Sequence, residues 1–187
     1  EVPGARVADF VTALVEFAGR LYAGFGSPNN GAGDVMVFDG LSWTSSYDGA
    51  FDAVNAFAVY GGRLHVGTWP TGTVHRREVD GAWRELPRPG YEREVMAMAV
   101  YNQKLYVGAL PMAHVYRWDE GGAGGDFTFV GNLDATPAVP LRRVWSMAVY
   151  AGQLFAGTLP SGRVWSLRAG AVAAGDEVLS PAWHHLA

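Results

Sequence analysis

Large and small side chains alternate with period two along Met96-Ala97-Met98-Ala99-Val100, and the same beat recurs at Asn55-Ala56-Phe57-Ala58-Val59 and at Trp145-Ser146-Met147-Ala148-Val149. A period of two sets Ala56, Ala97 and Ser146 on one face and Phe57, Met98 and Met147 on the other, which predicts a strand. Each of these stretches belongs to a longer one. VMAMAVYNQKLYVGALP from Val95 is matched by VTALVEFAGRLYAGFG from Val11, VNAFAVYGGRLHVGTWP from Val54 and VWSMAVYAGQLFAGTLP from Val144. Self-similarity at a period of roughly 40 to 50 residues marks supersecondary units that hide their apolar faces only against their neighbours.

Within a unit, an aromatic residue is followed by a two-residue punctuation: Ala18-Gly19, Gly61-Gly62, Asn102-Gln103 and Ala151-Gly152. Gly and Asn accept the positive φ of primed hairpin turns, so the next run is predicted to fold back antiparallel. This second strand closes on Gly24, Gly67, Gly108 or Gly157, and in three units a proline follows: Pro70, Pro111 and Pro160. Proline cannot continue a central ladder, which ends the strand. Third strands are predicted at Val35-Met36-Val37-Phe38, Val74-His75-Arg76-Arg77, Val115-Tyr116-Arg117-Trp118 and Val164-Trp165-Ser166-Leu167. Fourth strands are expected around Trp43, Trp83, Phe127 and Trp183.

Four strands per unit, joined by short turns, predict an all-β chain: a β-propeller with four blades of four antiparallel strands each. The blades fall at about 11–52, 53–93, 94–142 and 143–187, so that 1–187 forms a single domain. Closure is expected from the four units themselves, the alternatives being a piece of a larger ring or a dimer that completes one, since an open arc exposes apolar faces. The GxLYVGT and DGxW pattern resembles kelch-like and related bacterial propeller repeats across nearly the whole chain. That resemblance implies architecture and leaves function open, because propellers host binding, scaffolding, hydrolysis and lyase chemistry alike.

The ends carry two further expectations. EVPGARVADF aligns with LPRPGYERE, Leu86 to Glu94, and so reads as the tail of a preceding blade in a larger parent protein. Trp183-His184-His185-Leu186-Ala187 reads as an outermost strand, and it also resembles the start of a core strand in laminin-G-like jelly rolls. The second reading implies an extracellular or cell-envelope setting.

Composition narrows the chemistry. Charged residues make up only 17% of the chain, the net charge is −4 and the arginines are scattered, which argues against a nucleic-acid surface. Without cysteine there is no disulfide, thiolate nucleophile or cysteine zinc site. No apolar run approaches the roughly 20 residues that span a bilayer. No cofactor motif is present, and the five histidines have no metal-ligand spacing, so neither a cofactor nor a metal is expected. His65 takes the place of Tyr22, Tyr106 and Phe155 and is expected to fill an aromatic slot; His184 and His185, adjacent on a strand, point to opposite faces.

No triad and no G-x-S-x-G are present. Asp39, Asp80 and Asp119 sit at turns or strand ends, where aspartate caps backbone amides. Glu16 stands where the other units place Val59, Val100 and Val149, which makes it a candidate channel residue, to be paired, exposed or used. The variable loops are the better place to look. Loops between second and third strands and those leading into first strands share one face, where Trp69 replaces Phe25, Leu110 and Leu159. The same face carries His114 and Arg163 at matching sites, with Asp52, Arg93, Glu94, Arg142 and Arg143. An aromatic platform beside guanidinium and carboxylate groups suits a sugar or another planar or anionic ligand. The expectation is a non-catalytic module that binds a glycan or a protein, as a homodimer or within a larger protein. A glycan-active hydrolase or lyase using channel-mouth carboxylates, and a purely structural scaffold, are the alternatives.

Overall fold

A computed structural model describes residues 10–27, 33–49, 51–121, 124–168 and 183–186. The leader before Phe10, most of the Ser27 to Asp34 loop and the stretch Ala169 to Pro181 lie outside them. Among the described residues every element is a strand. The first repeat supplies β1 (Phe10–Phe17), β2 (Arg20–Gly26), β3 (Asp34–Phe38) and β4 (Trp43–Asp48). The second supplies β5 (Ala53–Tyr60), β6 (Arg63–Trp69), β7 (Val74–Arg77) and β8 (Trp83–Glu85). The third supplies β9 (Glu94–Tyr101), β10 (Lys104–Leu110), β11 (His114–Asp119) and β12 (Asp126–Asn132). The last supplies β13 (Arg143–Tyr150), β14 (Gln153–Leu159), β15 (Val164–Leu167) and β16 (Trp183–Leu186). All pairings between these strands are antiparallel, and β5, β9 and β13 each begin two residues before the alternating stretches that start at Asn55, Met96 and Trp145. The first two repeats share an eight-stranded sheet through a pairing of Gly26 with Ala53, and the third and fourth form four-stranded sheets.

The hairpin turns follow the sequence expectation. Ala18, Gly19, Gly61, Gly62, Asn102, Gln103, Ala151 and Gly152 all have positive φ, so even alanine and glutamine accept the left-handed conformation to match the twist of the flanking strands. Asp39 accepts hydrogen bonds from the Leu41 and Ser42 amides at 2.9 Å each, and Asp80 accepts one from Ala82, as turn-capping aspartates do.

The repeats pack on one another through one recurring contact. Gly24, Gly67 and Gly108 lie so close to Val54, Val95 and Val144 that a β-carbon on each would fall 2.9, 2.5 and 2.5 Å from a valine methyl group of the next repeat. These three valines are 0% exposed. Opposite each glycine on the third strand stands another buried valine, Val35, Val74 or Val115. First strands therefore stack in chain order, β1 on β5, β5 on β9 and β9 on β13, while no packing of that extent joins β13 to β1. Closure by the four repeats alone, expected from the sequence, is not seen among the described residues. Val11, which aligns with the three buried valines, is 54% exposed.

The linkers are fastened as well. The Asp134 carboxylate, buried in the link after β12, accepts hydrogen bonds from the Thr136 amide and hydroxyl and from the Ser161 amide of the next repeat. Burial opposes its charge, but these donors prevail and hold it down to about 2.

His65 sits fully buried beside Tyr60 in the slot held by Tyr22 and Tyr106 elsewhere, with Nδ1 3.1 Å from the Arg63 carbonyl. Burial pushes its imidazole down to about 4; the Arg63 carbonyl acts against the shift, and the Arg76 and Arg63 charges reinforce it. Because the folded state resists the proton, stability is full above the ordinary histidine value near 6.5 and falls with pH through the window from there to about 4. The total loss amounts to about 3 kcal/mol. Thermal melts at pH 7, 5.5 and 4.5 are expected to show this slope, and His65→Tyr is expected to flatten it by about one proton. At the recurring contact, Gly67→Ala is expected to cost about 1–3 kcal/mol in denaturant unfolding through overpacking against Val95.

Candidate functional site

Every first strand carries a β-bulge just after its start, between Val11 and Ala13, Val54 and Ala56, Val95 and Ala97, and Val144 and Ser146. A bulge adds one residue to one strand and re-aims its neighbours. Here the extra residues are Thr12, Asn55, Met96 and Trp145. The Thr12 hydroxyl donates to the Gly24 carbonyl at 2.9 Å and also reaches the Val54 carbonyl of the next repeat. Asn55 reaches across in the same sense, its Nδ2 donating to Glu94 Oε1 at 2.8 Å.

The residues that lead the four first strands, Phe10, Ala53, Glu94 and Arg143, all line one cleft of about 380 Å3. Its remaining wall is built from Asn55, Trp69, Arg93, Leu110 and Leu141. Four of the residues expected at a ligand site, Trp69, Arg93, Glu94 and Arg143, thus converge. Strand pairing fixes them: Trp69 pairs with Ala53, Leu110 with Glu94, and the Arg93 amide donates to the Leu110 carbonyl at 2.8 Å. Register also corrects one alignment, because the counterpart of Trp69 is Gly26, and Phe25 matches Thr68.

Glu94 sets the electrostatics. Burial raises its carboxyl above the usual carboxylate range, while Arg143, the Asn55 amide and Arg93 pull the other way without cancelling it. The Arg143 guanidinium also lies 5.5 Å from the centre of the Trp145 ring, a cation–π contact that helps to orient it. The cleft therefore offers two guanidiniums, one half-buried acid, one amide and an indole ring.

The other expected residues lie elsewhere. Arg142, next to Arg143 on the chain, turns away to the Thr136 carbonyl at 3.3 Å and the Met112 sulfur at 3.8 Å. Arg142 does not line the cleft, so the two arginines do not act as a pair. Asp52 stands just before the cleft residue Ala53, its amide bonded to the Trp69 carbonyl at 2.8 Å, and does not line the cleft. His114 lies 2.7 Å from Glu92 Oε1, which also accepts a hydrogen bond from the Tyr116 hydroxyl at 3.0 Å. That buried cluster lies outside the cleft, and burial with the Glu92 charge raises the Tyr116 hydroxyl. Arg163 is exposed in the turn between β14 and β15 and also lies outside the cleft. Glu16 is no channel residue facing this site: it is exposed at the opposite end of β1, where it caps the hairpin by accepting the Gly19 amide at 2.9 Å.

Sequence reasoning missed Phe10, Ala53, Asn55 and Leu141. Asn55 did leave a signal, a polar side chain in a first-strand slot occupied by Met96 and Trp145 in later repeats. Among the described residues no group of three or more His, Cys, Asp or Glu is placed to hold a metal ion, and no helix is long and apolar enough to cross a membrane.

No protein-family model matches the chain, and no curated protein matches it. Among solved structures the chain is similar to a luciferin-regenerating enzyme, with a TM-score of 0.65 and 13% sequence identity over 87% of this chain and 60% of that one. At that identity the likeness concerns the fold. The chain spans about 60% of the length of the structure it matches.

Removing the cation beside Glu94 tests the electrostatics of the cleft. Arg143→Ala is expected to move the Glu94 carboxyl titration further upward, since the guanidinium favours the charged carboxylate, with carboxyl carbon shifts followed by NMR as the readout.

Proposed function

We propose that the chain is a propeller-type binding module whose cleft takes an acidic sugar or another planar, anionic ligand. In this reading each repeat is one blade of four strands, and the first strands stand around the axis. Support comes from the antiparallel order within each repeat and from first strands that stack in chain order. The chain then forms part of a larger ring or assembly, in keeping with the share of the solved structure that it spans.

The observation that carries the ligand reading is the convergence of Arg93, Arg143 and Trp69 on one cleft. Guanidiniums recognise carboxylates through charge-assisted, often bidentate hydrogen bonds. The indole offers a flat apolar surface to a sugar or aromatic ring, while Asn55 and Glu94 can meet hydroxyl groups. Binding without turnover is favoured because hydrolysis of a glycosidic bond calls for two carboxyl groups about 5 to 9.5 Å apart. Among the described residues that line the cleft, Glu94 is the one carboxylate. A second reading rests on the raised titration of Glu94, which suits a general acid or base in an enzyme.

Titration calorimetry on hits from an acidic-glycan array tests both. Trp69→Ala and Arg143→Ala are each expected to weaken binding by about 10-fold or more, the scale of losing one charged hydrogen bond or one stacking surface. Glu94→Gln is expected to retain binding; turnover of a bound glycan by the wild type that Glu94→Gln abolishes would replace the binding-only reading with the catalytic one. Affinity untouched by both cleft substitutions would sink the ligand assignment.

A further inference from the structure

The two ends of the stack are complementary halves of the contact that joins its interior. At each interior junction a glycine and the valine opposite it on the third strand receive the leading valine of the next repeat: Gly24 with Val35 receives Val54, Gly67 with Val74 receives Val95, and Gly108 with Val115 receives Val144. At the far end, Gly157 stands opposite Val164 in the same register, but a β-carbon on Gly157 would meet only Ser146 of its own repeat. Val164 is 46% exposed, whereas Val35, Val74 and Val115 are 0% exposed. The receiving half is built and open. At the near end Val11 is the inserting half, equally open.

A second element repeats the match. The Tyr101 hydroxyl, at the end of β9, donates to the Gly152 carbonyl in the hairpin turn of the next repeat at 3.0 Å, and Tyr101 is 6% exposed. Tyr150 holds the same place at the end of β13 and is 74% exposed. By the same register, the acceptor that corresponds to Gly152 is the carbonyl of Gly19, in the turn of the first repeat. Phe155 follows suit: it is half-buried, whereas its counterparts Tyr22, His65 and Tyr106 are buried.

We propose that a second copy of this chain docks head to tail, its β1 face on the β13–β15 face of the first, reproducing the interior junction. Val11 of one copy enters the site formed by Gly157 and Val164 of the other, and Tyr150 donates to the turn carbonyl of Gly19. The occupant follows from the register: the site accepts a valine that leads a bulged first strand ending in a primed turn, and among the described residues β1 is such a strand with its valine exposed. An exposed apolar face on both ends is otherwise a liability for a chain in water. The contact is heterologous, joining two different surfaces, in contrast to the self-paired patch of an isologous dimer. It is argued from the two end faces alone and does not rest on the ligand of the proposed function.

Complementation tests it. Light scattering across a concentration series is expected to give wild-type masses rising above 20.0 kDa, the mass of one chain. Val11→Asp and Gly157→Leu each alter an open end, so each is expected to keep the wild-type melting temperature in dilute solution while remaining at 20.0 kDa. Mixed together, the two variants are expected to associate, because intact Val11 on one meets intact Gly157 on the other. Tyr150→Ala, altered at an exposed side chain, is expected to weaken the wild-type association at least several-fold and serves in place of either variant that fails to fold. A wild type that stays at 20.0 kDa throughout overturns the proposal and leaves further repeats or another protein as the partner of these faces. It is equally overturned by association that the single variants leave intact, or by a mixture of variants that does not associate.

Discussion

One steric constraint, the approach of a glycine to a valine across successive repeats, governs the rest of this structure. With the β-carbon absent, the next repeat's valine sits directly against the backbone of the second strand, and three such valines are removed from water. Each fully buried valine contributes on the order of 1.5 kcal/mol or more relative to exposure. The larger effect is geometric. Close contact at one end of each strand pair fixes the spacing between neighbouring first strands, and every other feature of the stack is arranged around that distance.

The first strands then divide their labour by position. Their hairpin ends are closed by primed turns, with Glu16 acting as a local cap and Tyr101 reaching to the next turn. Their leading ends, beyond the bulge, open onto a cleft where Glu94 is held between an amide and two guanidiniums. Burial and charge oppose each other at Glu94, leaving an acid that is easier to protonate than one in water. At Asp134 the same opposition runs the other way, because three donors from Thr136 and Ser161 outweigh its burial.

Much of this was legible in the chain. Alternation located the strands, the dipeptides after each aromatic located the turns, and alignment assigned His65 to an aromatic slot. These signals are local or rest on direct repetition. The cleft was half legible: Trp69, Arg93, Glu94 and Arg143 were expected together, but Asp52, His114, Arg142 and Arg163 were grouped with them. Sequence places residues on a common loop face without saying on which side of a strand they emerge, and a shift of one residue reverses that side. The bulges compound the difficulty, since an inserted residue breaks the period by which facing is inferred. Trp69 was matched to Phe25 for a related reason, an alignment by type that the hydrogen-bond register with Ala53 corrects. Ring closure depends on the angle accumulated over several junctions, and no local pattern encodes it.

The bulge has a consequence for how such a chain can change. Immediately beside each leading valine, buried at Val54, Val95 and Val144 and exposed at Val11, stands a residue that lines the cleft: Phe10 by Val11, Ala53 by Val54, Glu94 by Val95 and Arg143 by Val144. One position is dictated by the packing frame, and its neighbour carries an aromatic, a methyl, an acid or a base with the backbone path unchanged. Ala53 is 2% exposed and belongs to the core, so the fold presents Phe10, Glu94 and Arg143 as the side chains beside the framework through which new ligand chemistry can arise without a new loop or a new core.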